Sequence, residues 1–169
     1  IGRDCWRHMR MAIRAGASVG NYTETDAGLE PVPGPAFAVG VEGRLTESIA
    51  LYGSFNRTEF GCEEALCTGR DVTFTSQGVA VGGRWSPGLL WARAGLALQA
   101  LRSRSDSEDE TSDIGVGWDL GLGADIGLGR GFGLRPGITY LRHQAATATG
   151  DGHVAAFALE LGVTAVLPF

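Results

Sequence analysis

The last sixteen residues of the chain, 154–169, alternate between large apolar side chains and small or polar ones. Successive side chains of a β-strand point to opposite faces, so one face of this segment is apolar along its whole length. That face carries Ala155, Phe157, Leu159, Leu161, Val163, Ala165, Leu167 and Phe169. Strands of globular proteins usually have about 5–6 residues, whereas about 9–11 residues cross a bilayer at a tilt. If neighbouring segments repeat the pattern, the chain forms a transmembrane barrel.

Seven further segments repeat this alternation. The most regular is 114–128, where isoleucine, valine, leucine and tryptophan occupy even positions and mainly glycine and aspartate occupy odd ones. The others are 9–19, 37–45, 49–56, 78–85, 90–99 and 132–140. Eight strands is an even number, as expected for a bacterial single-chain barrel.

The connecting segments alternate between short and long. Three are tight, at 45–48, 86–88 and 129–131, and the four between them are longer, at 22–35, 60–71, 102–113 and 144–152. Transmembrane barrels have this rhythm of short periplasmic turns and longer extracellular loops. We therefore predict an all-β fold, an eight-stranded antiparallel up-and-down transmembrane β-barrel, with residues 1–169 forming a single domain.

Composition agrees with this fold. The mean hydropathy is +0.04, and no apolar run approaches the length of about 18 residues that a transmembrane helix needs. The 27 glycines fall mostly on the predicted inner face, where a narrow eight-stranded barrel has little room. No signal peptide precedes Ile1, so we expect a mature or trimmed chain.

The sizes of the side chains on the two faces indicate which face could fill the lumen of a barrel. A soluble lipocalin-like barrel is the competing fold, and it would place its apolar face inside. Here that arrangement would leave an outer surface made largely of glycine and alanine, with large side chains crowded into a small lumen. Aromatic residues on the apolar face also form two bands, as at the two membrane interfaces: Trp85, Phe132 and Phe169 in one, and Phe37, Phe55, Trp118, Tyr140 and Phe157 in the other. The sequence favours an apolar face toward lipid.

The predicted inner face carries charges of both signs. Charges in a narrow lumen must be paired, hydrogen-bonded or hydrated. We expect a salt-bridge network that plugs and rigidifies the barrel, and a gated ion path through the same residues is the alternative. The predicted network is Arg14, Glu42, Arg93, Asp119, Asp125, Arg135 and Glu160.

Three cysteines are present. Cys62 and Cys67 share one predicted outer loop, and a local disulfide fits an oxidising cell envelope, although two free thiols are the alternative. Cys5 remains over. We predict no metal site, because no second Cys/His pair has the spacing of a zinc finger.

With these patterns the chain resembles the small outer-membrane barrel family of the OmpA transmembrane domain and OmpX. The most specific segment for this resemblance is the C-terminal one, with Gly162, Val163, Ala165, Leu167 and Phe169. It is similar to the terminal signal read by the outer-membrane assembly machinery, although Pro168 departs from that pattern. The resemblance implies the outer membrane of a Gram-negative-type bacterium. It also implies membrane lipids as partners, with lipopolysaccharide among them.

No catalytic constellation is evident. A lipid-deacylating barrel needs a serine and a histidine near the last strands. The chain has His143 and His153 there, but no serine after Ser112, and Thr147 and Thr149 are poor substitutes. We expect both histidines to be ordinary interfacial or loop residues, and we predict no cofactor.

The two predicted ends of the barrel differ in the sign of their charge. The outer loops are acidic, most strongly along 106–113, and the opposite end carries arginines such as Arg44 and Arg130. This pattern argues against nucleic-acid binding at the outer surface. We therefore expect a non-enzymatic outer-membrane protein with a structural or surface-interaction role, and loops that can engage an envelope protein. A small channel or hydrophobic-solute conduit is the alternative, followed by a lipid-modifying enzyme and a soluble binder.

Overall fold

Ten β-strands make up the fold in the computed structural model, which describes residues 9–22, 30–63, 72–104, 109–147 and 150–167. The strands are β1 Met9–Tyr22, β2 Glu30–Arg44, β3 Ile49–Glu63, β4 Val72–Trp85, β5 Leu90–Arg104, β6 Asp109–Thr111, β7 Gly115–Ala124, β8 Ile126–Gly129, β9 Phe132–Thr147 and β10 Gly150–Val166. No helix within these residues is long and apolar enough to cross a membrane.

The sheet closes on itself as an antiparallel barrel. Each wall strand pairs with the next along the chain, and β10 pairs with both β9 and β1. Ile13, for example, lies between Val163 on β10 and Val39 on β2. The short β6 pairs only with the outer end of β5. With β7 and β8 forming one interrupted wall, the barrel has the predicted eight walls.

The inner and outer faces are those predicted from the alternation. On β10 the large apolar residues point outward, and Leu159 is 68% exposed, whereas its neighbours Ala158 and Glu160 are buried. On β7, Trp118 is 60% exposed and Asp119 is fully buried. Such a large apolar outer surface is incompatible with exposure to water but suits contact with lipid.

One wall strand is interrupted, which the alternation did not predict. The pairings of Gly123 with Gly137 and of Ile126 with Leu134 share one register, which places Ala124 opposite Pro136. Proline has no backbone N–H to donate to the ladder. The carbonyl of Ala124 therefore lacks the donor that another residue at position 136 would supply, whereas the amide of Asp125 still donates to the carbonyl of Leu89 at 2.7 Å. The predicted strand 114–128 is therefore divided into β7 and β8.

The predicted long loops are too long, because the strands continue into them. The structure extends β3 to Glu63, β5 to Arg104 and β9 to Thr147, and it begins β2 at Glu30. The outer face turns polar before the strands end, at residues such as Arg57, Gln77 and Gln144, so the apolar alternation ends before the strand does. The short connectors are as predicted, and the last one contains positive φ angles at Gly129, Arg130 and Gly131.

Candidate functional site

Four side chains near the short-turn end of the lumen form a closed ring of alternating charge, called the lower ring here: Glu42, Arg84, Asp125 and Arg135. Arg84 donates to Glu42 at 2.6 Å and also to Asp125. Arg135 donates to Asp125 at 2.6 Å and contacts both oxygens of Glu42. Each carboxylate thus bridges two guanidinium groups, so two positive and two negative charges neutralise one another inside the barrel.

A second group, the middle network, crosses the lumen farther from the short turns. It consists of Arg14, Tyr52, Asn56, Arg93, Asp119, Thr139 and Glu160. Arg14 binds Glu160 at 2.8 Å, and Arg93 binds Asp119 at 3.1 Å. The hydroxyl of Thr139 donates to Glu160 at 2.7 Å and accepts from Arg93 at 3.2 Å, so it joins the two ion pairs.

Trp91 lies between these two groups. Its ring centroid is 5.9 Å from the guanidinium carbons of Arg84, Arg93 and Arg135. Cation–π contacts of this kind are strongest when they are desolvated, and Trp91 is only 4% exposed. The indole therefore fills the space that the ion pairs leave open.

Nearer the long loops, two buried apolar clusters are separated by uncharged polar side chains, among them Gln99 and His143. Along β9 the inward residues after Thr139 are Leu141, His143 and Ala145. Leu141 belongs to a buried cluster with Tyr52, Ala80 and Ala97. Beyond His143, the apolar cap consists of Phe60, Leu101, Ala145 and Val154, with Phe74 stacked on Phe60 at 5.5 Å between ring centroids.

His143 is a lumen residue, so the expectation of an interfacial or loop position was wrong. It is 1% exposed, and its Nε2 lies 2.8 Å from the hydroxyl of Ser76, which β4 contributes across the lumen. Its Nδ1 lies 2.8 Å from the carbonyl of Gln144. Because a carbonyl only accepts, Nδ1 carries the proton and Nε2 accepts from Ser76. The serine that the last strands lack is therefore supplied by a distant strand.

All seven residues of the predicted network are inward and take part in the two polar groups. The prediction omitted Arg84, which completes the lower ring, and it omitted the uncharged Tyr52, Asn56 and Thr139. The alternation in the sequence already places these four side chains on the inner face. Whether they come into contact depends on the stagger between neighbouring strands, because the stagger sets which inward residues lie at the same depth of the lumen.

Other predicted sites lie at the edge of the described residues. Cys67 is outside them, as are Cys5, Phe169 and the side chain of Cys62, so the disulfide stays a prediction. Gly162, Val163 and Ala165 of the assembly signal lie in β10, with Leu167 just after it. Within the described part of the chain, no group of three His, Cys, Asp or Glu side chains could hold a metal ion.

The comparisons with known proteins agree with this geometry. Residues 7–164 match the family model described as "Outer membrane protein beta-barrel domain". A comparison with curated protein sequences gives no match.

Solved structures of bacterial outer-membrane barrels share the fold. Neisserial surface protein A is 13% identical, with 94% of this chain and 97% of that chain covered and a TM-score of 0.66. Ail of Yersinia pestis, in complex with the heparin analogue sucrose octasulfate, is 16% identical, with 93% and 99% covered and a TM-score of 0.57. OprG of Pseudomonas aeruginosa is 10% identical, with 95% and 98% covered and a TM-score of 0.55. The chain belongs to the outer membrane protein β-barrel domain family.

Proposed function

We propose that this protein is a closed, non-enzymatic barrel in the outer membrane of a Gram-negative-type bacterium. In this proposal it stabilises the envelope and presents its long loops to partners at the cell surface. The short-turn end then faces the periplasm, as in barrels of this architecture.

The observation that carries the proposal is the filling of the lumen at successive depths. The lower ring, Trp91 and the middle network occupy the half nearer the short turns, and the apolar cap occupies the opposite half. Phe60 is 2% exposed and Asp119 is fully buried. Ions crossing such a lumen would have to separate buried ion pairs and then pass an apolar layer, and both steps are costly.

The inaccessibility of the Ser76–His143 pair supports a non-enzymatic role. A nucleophile and base at hydrogen-bond distance are a requirement of acyl transfer, and this pair meets it. Both residues are 0–1% exposed, however, and neither faces the lipid. A lipid ester cannot reach them while the apolar cap is in place.

Charge suggests which surface partners suit the loops. One similar structure, Ail, is bound to a heparin analogue, a polyanion. The predicted outer loops of this chain are acidic, with Asp106, Glu108, Asp109, Glu110 and Asp113 in one segment. Like charges repel at an interface, so we propose partners with a basic surface, an envelope protein among them. Contact with lipopolysaccharide through bridging divalent cations is also compatible with this charge.

A conduit for hydrophobic solutes is the second candidate, favoured by an apolar groove of about 680 Å³ in the outer wall. Trp85, Leu122 and Leu159 are among the residues that line it, and its floor includes Gly123, Gly137 and Trp91. The Trp91 indole separates this groove from the charged lumen.

The test is conductance across planar bilayers that contain the purified, refolded protein. Insertion is verified by the faster migration of the unboiled protein on a gel. We expect no conductance steps above those of a protein-free bilayer. Discrete conductance steps would show that the protein is a channel and would contradict the proposal of a closed barrel. Faster entry of an apolar dye into vesicles carrying the protein would favour the conduit instead.

A further inference from the structure

Two arginines at the short-turn mouth of the lumen stand apart from the lower ring. Arg10 lies on β1 directly opposite Glu42, and Arg44 is the last residue of β2. Both have inward parity. Yet neither forms an ion pair with another residue in the described part of the chain, whereas Arg84 and Arg135 are each paired twice.

Positive charge exceeds negative charge at this mouth. The strongest electrostatic neighbours of Arg10 are three arginines, Arg44, Arg84 and Arg135, and a single carboxylate, Asp125. That carboxylate already bridges two guanidinium groups of the lower ring. Glu47 lines the small polar cleft beside Arg10 and Arg44. With Glu42 included, four guanidinium groups face three carboxylates among the described residues at this mouth, which leaves one positive charge unmatched there.

A cavity of about 240 Å³ opens next to Arg10, and Arg44 is not among the residues that line it. Its walls come from the β8–β9 hairpin and the end of β10, including Gly131, Phe132 and Thr164. The Thr164 hydroxyl makes one long hydrogen bond, to the carbonyl of Gly133 at 3.4 Å, and can turn toward a ligand. One water molecule occupies about 30 Å³ in the liquid, so the cavity admits a larger polyatomic ion.

We propose that this cavity is a binding site for a phosphate group, held by Arg10 with Thr164 as an additional donor, while the neighbouring Arg44 adds positive charge at the same mouth. Guanidinium groups bind phosphate through paired, charge-assisted hydrogen bonds, and a bound dianion or monoanion relieves the repulsion between the two arginines. Asp125 faces the same cavity, but Arg84 and Arg135 neutralise it. The phosphate is either a free ion or the headgroup of a phospholipid in the leaflet at this end, because the outward-facing Ile126 and Phe132 also line the cavity.

The test compares wild type with the double variant R10Q/R44Q and the control R57Q/R130Q, which removes the same charge; Arg57 lies on the outer face of β3 and lines neither cavity. Arg130 lies at the tip of the β8–β9 turn at the same end of the barrel and lines neither cavity. Because the double variant leaves the lower ring intact, we expect it to fold. Faster migration of the unboiled protein verifies folding for every variant.

Two arms of the experiment separate the sources of phosphate. In nonionic detergent, inorganic phosphate is titrated by calorimetry against chloride as the reference ion. In nanodiscs, native mass spectrometry counts phosphatidylglycerol retained on the released protein. We expect the double variant to lose at least tenfold in affinity or retention in one or both arms, and the control to match wild type. Loss only in the nanodisc arm identifies the lipid headgroup. Equal behaviour of wild type and double variant in both arms, including no binding at all, would overturn the proposal.

Discussion

The indole of Trp91 lies directly behind Gly123, so closely that a Cβ at residue 123 would come within 2.6 Å of the indole Cζ2. The same Cβ would lie 2.2 Å from the carbonyl oxygen of Pro136, which belongs to the backbone and cannot rotate away. Glycine at this position is what allows a tryptophan to fill the lumen between the lower ring and the middle network.

Substitution Gly123→Ala should therefore destabilise the barrel. Overpacking of this kind costs roughly 1–3 kcal/mol, since Trp91 or the wall strands must shift. Gly83→Ala is the matched control, because a Cβ at residue 83 meets nothing within 4 Å. The free energy of unfolding in urea, measured from lipid vesicles, should fall for the first variant only. Equal stability of both variants would contradict the packing described for Trp91.

The substitution Glu42→Gln should strongly lower the free energy of unfolding, because Glu42 belongs to the lower ring. The substitution leaves Arg84 and Arg135 with fewer negative partners in a buried site, and breaking a buried ion pair from one side costs about 3–5 kcal/mol. The exposed pair of Arg57 and Glu59 provides the comparison. Glu59→Gln should cost no more than about 1 kcal/mol, because water screens that pair. Urea unfolding of the two variants under identical conditions measures the difference. Similar costs would mean that the ring is hydrated and does not seal the lumen.

The cost of placing an arginine on the outer face should depend on its depth in the membrane. Leu159 points toward lipid, and an arginine near the bilayer midplane costs about 2–4 kcal/mol in a barrel. Gln144 points outward beyond the apolar belt, where the same substitution costs about 0–1 kcal/mol. The unfolding free energies of L159R and Q144R should differ in that direction, and the reverse order would contradict the placement of the belt.

The Ser76–His143 pair gives a prediction about reactivity. Although Ser76 is hydrogen-bonded to a histidine, as an activated serine would be, it is fully buried, so a fluorophosphonate probe should leave the folded protein unmodified. Intact-mass spectrometry checks this result, with S76A as the reference. An adduct that forms on wild type and is lost in S76A would show a reactive serine and would contradict the non-enzymatic proposal.

The alternation in the sequence was sufficient to predict the eight walls and the face of the residues within the predicted strands. Strand ends at the long-loop side were not predictable in this way, because residues such as Arg57 and Gln77 are polar on the outer face beyond the apolar belt. The interruption after Ala124 depends on Pro136, which lies opposite Ala124 in the sheet but twelve residues away in the chain.

The candidate site was predicted less completely than the fold. The charges were assigned to the lumen, but pairing depends on the stagger between strands, so Arg84 was not recognised as closing the ring. The contact of Ser76 with His143 joins β4 to β9 across the barrel. A search for a serine near the last strands could not find it, although both residues have inward parity.

The most direct test of the account is the quenching of tryptophan fluorescence by lipids with brominated acyl chains. Single-tryptophan variants retain Trp85, Trp91 or Trp118, and phenylalanine replaces the other tryptophans. Trp85 and Trp118 are 56% and 60% exposed on the outer face, whereas Trp91 is 4% exposed and faces the lumen. We predict strong quenching of Trp85 and Trp118 and clearly weaker quenching of Trp91, which meets the lipid side only at the floor of the groove. Strong quenching of Trp91 with little effect on the other two would show that the faces are reversed and would contradict a membrane barrel with a charged, closed lumen.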